Sequence, residues 1–223
     1  MHRLIALFAL LGGIGGAAMI PEVVTVANSE PSIAPVSAAA RAVGFIDVRS
    51  AVPDAVIDLR YATADNFVGT PLYPPVARCL VHESLAAGLA TAAAQLRARG
   101  LRLVFWDCYR PHDVQVRMFQ VVSNPAWVAQ PGPYSKSHES GRSVDVTTAG
   151  ATSLSEMGTG FDDFTAASHA YATDGVNAAA QYNRAVLREA MAAGGLTVYS
   201  GEWWHFDGPG AGERRPVINV PLT

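Results

Sequence analysis

From about residue 43 to the carboxyl end, apolar residues occur either in short runs or in longer stretches with helical spacing. The clearest helical stretch covers 84–99, where apolar residues recur at steps of 4, 3 and 4 positions from Leu85 to Leu96. Gly100 follows this stretch directly and is a suitable residue for ending a helix. The pattern therefore predicts a helix over 84–99 with one face packed on a sheet.

The rest of the pattern predicts two further helices and a set of short strands. One helix is expected over 111–122, with Pro111 in its first turn. The other covers 176–193, with Asp174 as its cap and two glycines beyond its end. The strands are predicted at 45–48, 56–59, 101–106, 144–147, 196–200, 203–207 and 217–220. Because helices and strands are segregated more than they alternate, we expect an α+β fold with a mainly antiparallel sheet.

The first 42 residues differ in character from the rest of the chain. Residues 1–3 include the positive charge of Arg3, and 4–20 form an uncharged apolar run with four glycines. This arrangement is typical of a signal peptide over 1–20, with an uncleaved anchor as the alternative. Residues 21–42 mix Pro, Ser and Ala without periodicity, which predicts a flexible lead-in to a single domain over 43–223. We therefore expect an exported protein, periplasmic or secreted, with no stable membrane span after signal removal.

Composition narrows the class of protein. The 223 residues are 50% hydrophobic and 16% charged, which is typical of one folded domain and not of a disordered chain. Lys and Arg number 16 against 19 for Asp and Glu, so there is no basic field and we expect no nucleic-acid partner.

The two cysteines, Cys79 and Cys108, either form a disulfide, which export would allow, or remain as buried thiols.

Histidine and acidic residues concentrate in two short stretches, 137–145 and 202–206. In the first, His138 precedes Asp145 by seven residues across a glycine turn. In the second, Glu202 and His205 stand three residues apart. In a regular strand their side chains would face opposite sides, so we expect a bend or a strand start between them.

These residue types point to a metal centre. Two His and one Asp suit Zn²⁺ and leave a fourth position for water, which is the arrangement of a catalytic site and not of a closed structural one. Glu202 is then the natural general acid and base, because a carboxylate near such a water can take up and pass on its proton.

Arg110 is a further candidate, because it stands between a predicted strand and the start of a predicted helix. Its guanidinium stays charged at any working pH, and the helix start adds a partial positive charge. This corner therefore suits a carboxylate or an oxyanion. An ordinary salt bridge, to Asp107 or another acid, is the alternative interpretation.

Five segments of the chain resemble, in their order, segments of the zinc D-alanyl-D-alanine dipeptidases. They are 58–67 (DLRYATADNF), 106–111 (WDCYRP), 138–145 (HESGRSVD), 157–162 (MGTGFD) and 202–205 (EWWH). The resemblance covers about residue 44 to the end. It implies the α+β fold that this family shares with the zinc D,D-carboxypeptidases and the signalling domain of hedgehog proteins. It also implies one Zn²⁺ per chain and hydrolysis of the small dipeptide D-Ala-D-Ala.

The resemblance further implies a role for each residue that matches the motifs. His138, Asp145 and His205 match the zinc ligands, and Glu202 matches the catalytic acid-base residue. Arg110 matches the residue that stabilises the tetrahedral transition state.

Substrate contacts are implied at three more positions. Asp162 matches a carboxylate that meets the substrate ammonium, and Tyr61 lies at a position near the dipeptide pocket. Lys136 is a departure, because family members commonly have Ser two residues before the first zinc histidine. We expect this difference to act on affinity or substrate range and not on hydrolysis itself.

Two other functions remain open at the level of sequence. One is a D,D-carboxypeptidase or another peptidoglycan peptidase of the same fold, which an open groove would favour and which export would place beside the cell wall. The other is a zinc-stabilised binding domain without catalysis. Glu202 and Arg110 argue against the binding domain, since a structural zinc needs neither. For the dipeptidase, the expected setting is cell-wall precursor or turnover metabolism. Salvage of the dipeptide, wall turnover and glycopeptide resistance remain open as its role, and salvage is preferred.

Overall fold

Short strands form two sheets in residues 33–223, the part of the chain that this computed structural model describes. The strands are β1 Phe45–Asp47, β2 Val56–Ile57, β3 Leu80–His82, β4 Arg102–Asp107, β5 Ser143–Ala149, β6 Thr197–Val198 and β7 His205–Asp207. β1 and β3 form an antiparallel pair, and the other five have the order β2-β4-β5-β7-β6. β2 and β4 run parallel, while the remaining neighbours in this sheet are antiparallel. The predicted α+β class with a mainly antiparallel sheet is confirmed.

The α-helices of these residues are α1 Ala38–Ala42, α2 Ala86–Arg97, α3 His112–Val121 and α4 Ala178–Ala193. The three helices predicted from periodicity and end signals are confirmed as α2, α3 and α4, with small shifts at their ends. Pro111 caps α3 and does not stand in its first turn. Asp174 lies too far upstream to cap α4, and Asn177 does so instead, since its Oδ1 accepts a hydrogen bond of 2.9 Å from the amide of Ala180.

Helices α2 and α4 approach each other closely at two glycines. A Cβ atom on Gly88 would lie 2.3 Å from the carbonyl oxygen of Gly194, and one on Gly194 would lie 2.1 Å from that of Gly88. Both positions therefore require glycine for the two backbones to meet. The contact brings Leu89 and Leu96 of α2 into the core beside Leu187 of α4, all three with no exposed surface.

The strand predicted at 217–220 is wrong. The amide of Ile218 donates to the Ser135 hydroxyl at 2.9 Å, and the amide of Val220 donates to the Tyr109 hydroxyl at 2.9 Å. The Tyr109 hydroxyl in turn donates to the carbonyl of Ile218 at 3.1 Å. Because side chains satisfy these backbone groups, the segment remains buried in part without joining a sheet.

The amino end of the described residues is ordered before Val43. Ser37 caps α1 by accepting a hydrogen bond of 3.1 Å from the amide of Ala40, and Ala40 has no exposed surface. The flexible lead-in predicted over 21–42 is therefore wrong for α1, because burial of Ala40 and Val36 in the core holds this helix. The predicted signal peptide, 1–20, and residues 21–32 lie outside the described residues. Within 33–223, no helix combines the length and the apolar character needed to span a membrane.

A disulfide joins Cys79, just before β3, to Cys108, just after β4. The two Cα atoms are 5.3 Å apart. The alternative of two buried thiols is therefore wrong. The bridge ties the β1–β3 pair to the carboxyl end of β4 in the larger sheet. The candidate site lies beside this end, since the Cys108 carbonyl contacts His138.

Removal of the disulfide is expected to destabilise the fold. The double variant Cys79→Ala, Cys108→Ala should lower the free energy of unfolding by about 3 to 4 kcal/mol, because the bridge closes a loop with a sequence separation of 29 residues. Urea denaturation of the parent and the variant measures this difference. Equal free energies of unfolding would show that the bridge contributes nothing to stability.

Candidate active site

Three structural elements bring His138, Asp145 and His205 together. His138 lies on a 3-10 turn, Ser137–Ser140, which ends at Gly141 with a left-handed φ of 65°. Asp145 lies in β5 and His205 begins β7. These two residues are paired directly in the antiparallel register of β5 and β7. Since directly opposite residues project from the same face of a sheet, the register itself places Asp145 beside His205.

The three side chains form a tight cluster. The His138 Nε2 and His205 Nδ1 atoms are 3.0 Å apart, and Asp145 Oδ1 lies 3.2 Å from the first and 3.0 Å from the second. Burial would raise the pKa of Asp145, but the two imidazoles hold it well below its ordinary value. Burial likewise opposes a charge on His205, yet its hydrogen bonds to Asp145 and Asp207 raise its pKa to about 10. The cluster thus favours a positive charge at its centre.

The outward nitrogens of both imidazoles have acceptors, and this arrangement fits a bound metal ion. His138 Nδ1 lies 2.8 Å from the carbonyl oxygen of Cys108, and His205 Nε2 lies 3.1 Å from Asp207 Oδ1. When each of these nitrogens donates its proton outward, the inward His138 Nε2 and His205 Nδ1 both present lone pairs. Metal-binding histidines in proteins are oriented in this way. The donor set of two imidazoles and one carboxylate suits Zn²⁺.

Glu202 reaches the same cluster because the chain bends before β7. Trp203 and Trp204 form the bend and are buried, with hydrogen bonds from the Trp203 amide to the Ser168 carbonyl and from the Val146 amide to the Trp204 carbonyl. Glu202 Oε2 consequently lies 4.0 Å from His205 Nδ1. The bend predicted between Glu202 and His205 is confirmed. Burial raises the pKa of Glu202 to about 7.

Arg110 forms a buried ion pair, and it also lines a cavity together with Tyr61. Its Nε and Nη2 atoms donate to Asp107 Oδ2 at 3.0 and 2.7 Å, and Nη1 donates to Gln115 Oε1 at 2.8 Å. Its guanidinium carbon also lies 5.3 Å from the centre of the Tyr61 ring. The two interpretations of Arg110, a salt bridge to Asp107 and a cation facing a substrate, are therefore compatible.

Asp162 and Tyr61 form a second polar pair. The Tyr61 hydroxyl donates to Asp162 Oδ2 at 3.0 Å. Asp162 has a left-handed φ of 57°, which is uncommon for a residue other than glycine. Burial and the nearby Asp145 carboxylate raise the pKa of Asp162 well above its ordinary value.

One cavity of about 310 Å³ connects these groups. All seven residues that the sequence indicates contribute to its wall: Tyr61, Arg110, His138, Asp145, Asp162, Glu202 and His205. Lys136 is exposed and also lies on the wall. The structure thus brings together every predicted site residue, while the individual roles assigned to them stay predictions.

Sequence reasoning missed two residues that hold the site together, Gln115 and Asp207, and named a third, Asp107, only as the alternative salt-bridge partner of Arg110. Asp107 has no exposed surface and orients Arg110, and Gln115 holds the other end of the same guanidinium. Asp207 holds the outward nitrogen of His205. Asp207 could have been found from strand periodicity, since residues two apart face the same side. No local sequence pattern indicates the role of Gln115, because a polar residue five positions after an arginine does not by itself predict a contact between the two.

Known proteins are similar to most of this chain. Residues 41–223 match the family model of D-Ala-D-Ala dipeptidases in peptidase family M15. The D-alanyl-D-alanine dipeptidase of Escherichia coli (strain K12) is 37% identical over 168 residues, which cover 75% of this chain and 86% of that protein. The enzyme of the same name from Streptomyces coelicolor (strain ATCC BAA-471 / A3(2) / M145) is 34% identical over 169 residues, 67% of this chain and 83% of that protein. Among solved structures, the LdcB LD-carboxypeptidase aligns with a TM-score of 0.40 and 16% identity, covering 60% of this chain and 61% of that one. The chain belongs to the D-Ala-D-Ala dipeptidase family of the M15 metallopeptidases.

Proposed function

We propose that this protein hydrolyses D-Ala-D-Ala to two molecules of D-alanine in a zinc-dependent reaction. The observation that carries the proposal is the convergence of three metal-ligand side chains, Glu202 and Arg110 on one cavity. Its volume of about 310 Å³ is at the lower end of the range for small-molecule sites, as a dipeptide requires. Membership of the dipeptidase family supports the same substrate.

His138, Asp145 and His205 would hold the zinc ion, and a three-ligand set of this kind would leave it able to bind water. When bound there, Zn²⁺ would polarise the scissile carbonyl and lower the pKa of its water to about 7. The protein contributes the orientation of the two histidine ligands through the Cys108 carbonyl and Asp207.

Glu202 is proposed to move the proton. In its ionised form the carboxylate takes a proton from the attacking water, and it then delivers that proton to the nitrogen of the departing D-alanine. Burial raises the pKa of Glu202 toward neutrality in the absence of metal, and a carboxyl shifted in this direction is better able to hold and return a proton at working pH. Its position 4.0 Å from the His205 nitrogen places it beside the metal ligands.

Charge on the substrate is proposed to be recognised by Arg110 and by the Tyr61–Asp162 pair. The Arg110 guanidinium, fixed by Asp107 and Gln115, is a preorganised donor for the oxyanion that develops on the attacked carbonyl. Asp162 would meet the substrate ammonium. A positive group beside this buried carboxyl would favour its ionised form, because an opposite charge lowers the pKa of a carboxyl.

The proposed setting is outside the cytoplasm, in the turnover of cell-wall precursors. The signal-like segment over 1–20 and the disulfide between Cys79 and Cys108 both support export. An exported enzyme could not readily deplete a cytosolic dipeptide pool. Salvage of D-alanine from dipeptide released at the wall is therefore the role that we propose.

A D,D-carboxypeptidase is the second candidate function, and one observation favours it. A further cavity of about 560 Å³ adjoins the first and shares with it Trp127, Phe164, Tyr199 and Glu202 among other wall residues. This space could receive the remainder of a longer peptide.

Release of D-alanine distinguishes the two candidates. The purified protein is incubated with D-Ala-D-Ala or with a muramyl pentapeptide, each with added zinc and after removal of metal by a chelator. The dipeptidase predicts zinc-dependent release from the dipeptide at a far higher kcat/KM than from the pentapeptide. A preference for the pentapeptide would establish the carboxypeptidase, and release that persists without metal would contradict zinc dependence.

Zinc content tests the ligand set directly. The parent protein should carry close to one zinc ion per chain, and His205→Ala should lose most of it, because only two ligands then remain. Metal analysis by atomic emission measures the ratio. His169→Ala, which removes an exposed histidine outside the ligand set, is the matched control and should keep its zinc. Stoichiometric zinc in His205→Ala would remove His205 from the set.

A further inference from the structure

A chain of hydrogen bonds links the three ligand-bearing elements behind the candidate metal centre. The Ser137 hydroxyl lies 2.9 Å from the Ser143 hydroxyl, and the latter lies 2.5 Å from Asp207 Oδ1. The same Oδ1 atom is 3.1 Å from His205 Nε2. Each member stands close in sequence to a ligand: Ser137 precedes His138, Ser143 lies two residues before Asp145, and Asp207 lies two residues after His205.

Strand geometry explains why these residues meet. Ser143 is paired with Asp207 in the register of β5 and β7, two residues along from the pair of Asp145 and His205. Because side chains two residues apart face the same side, the serine–aspartate pair supports the pair of ligands on that face. Ser143 has no exposed surface, so its hydroxyl depends on these two partners for its hydrogen bonds.

The direction of each hydrogen bond follows from chemistry. An ionised Asp207 only accepts, so both Ser143 and the His205 Nε2–H group must donate to it. Ser143 has a single proton, which it gives to Asp207, and it must therefore accept from Ser137. In the neutral imidazole that binds a metal ion, this order leaves His205 Nδ1 without a proton and directed at the centre of the ligand cluster.

Ser137 is held in an uncommon backbone conformation next to His138. Its φ of 49° is left-handed, and it is one of two such residues other than glycine in the described part of the chain. The Ser137 amide donates to the Ala211 carbonyl at 2.7 Å, while its hydroxyl is held by Ser143. Strain of this kind persists only where surrounding contacts over-determine it, and it clusters at functional sites.

We propose that Ser137, Ser143 and Asp207 are positioning residues that set the zinc affinity of the site. Asp207 fixes the tautomer and ring orientation of His205, and Ser143 fixes Asp207 and couples it to the turn that carries His138. The inference rests on the proposed function, since it concerns the zinc ion assigned there. Partners of metal-binding histidines act in this way, and their removal typically weakens metal affinity by about 10- to 100-fold.

Zinc affinity of matched serine variants tests the proposal. Ser143→Ala should weaken zinc binding by about 10-fold, measured by competition with a chromophoric chelator. Ser155→Ala is the control, because it removes a similar hydroxyl contact, with Thr148 at 2.7 Å, at the other end of β5. The control should bind zinc as the parent does.

Two further measurements distinguish a positioning role from support of the fold alone. They are the zinc affinity of Asp207 variants and the absorption spectrum of Co²⁺-substituted protein. Asp207→Asn keeps an acceptor oxygen for His205 and should weaken zinc binding less than Asp207→Ala does. The double variant Ser143→Ala, Asp207→Ala should lose less zinc affinity than the sum of the two single losses, because Ser143 and Asp207 act in one network. Co²⁺-substituted protein should show an altered absorption spectrum in Ser143→Ala and the parent spectrum in Ser155→Ala.

The outcomes are distinct. Zinc affinity within twofold of the parent in both Ser143→Ala and Asp207→Ala would overturn the inference, even if the melting temperature of the metal-free protein fell. A parent protein that binds no zinc in the same assay would overturn the proposed function and this inference together.

Discussion

Replacement of Glu202 by glutamine is expected to lower kcat for D-Ala-D-Ala at least about 100-fold, the loss typical of a positioned acid-base group. Glutamine keeps the shape of the side chain but neither accepts the proton of the attacking water nor returns it to the leaving nitrogen. Zinc content and melting temperature should stay close to those of the parent, because Glu202 is not among the three ligand side chains. Initial rates of D-alanine release with zinc-loaded protein measure the effect.

The control for this prediction is Glu189→Gln, an exposed carboxylate on α4 whose contact with Arg99 is a surface ion pair. It should leave kcat and zinc content unchanged. If zinc-loaded Glu202→Gln turned over D-Ala-D-Ala within threefold of the parent, the acid-base assignment would be wrong.

Arg110→Ala is expected to lose both activity and stability. Loss of a preorganised oxyanion donor should lower kcat and kcat/KM together by about 10²- to 10³-fold. The variant also leaves Asp107, which has no exposed surface, without its cationic partner. Breaking a buried pair in this way should lower the free energy of unfolding by about 3 to 5 kcal/mol. Rates are therefore measured at a temperature where circular dichroism shows the variant to be folded.

Arg110→Lys separates the two effects. Lysine keeps the charge beside Asp107, so the loss of stability should be smaller than in Arg110→Ala, but it lacks the planar fork that contacts Asp107 and Gln115 together. Activity should therefore remain well below that of the parent at nearly parent stability. Arg97→Ala, which removes an exposed ion pair with Asp54, is the control and should change neither quantity greatly. Hydrolysis within threefold of the parent by folded, zinc-loaded Arg110→Ala would rule out its catalytic role.

Short-range signals determined the three longer helices, α2, α3 and α4, and most of the strands. The spacing from Leu85 to Leu96 and the glycines beyond α2 and α4 act between residues close in the chain, so a single sequence reveals them. The bend between Glu202 and His205 was also predictable, because strand periodicity alone would separate their side chains. The order of the five motifs determined the family, and through it the seven residues that the structure gathers around one cavity.

Contacts between distant residues were decided only by the tertiary structure. The register that sets Asp145 beside His205 joins residues 60 apart in the sequence. The segment predicted as a strand at 217–220 instead bonds to the Tyr109 hydroxyl, which is 109 residues away from Ile218. The choice of a disulfide over two thiols depended on whether folding brings β3 and β4 together. Neighbouring residues in the sequence likewise do not indicate that Asp107 is buried. They therefore do not indicate that Arg110 both pairs with Asp107 and lines the cavity. Such contacts form because a buried polar group must find a partner, and which partner lies within reach is a property of the whole packed chain.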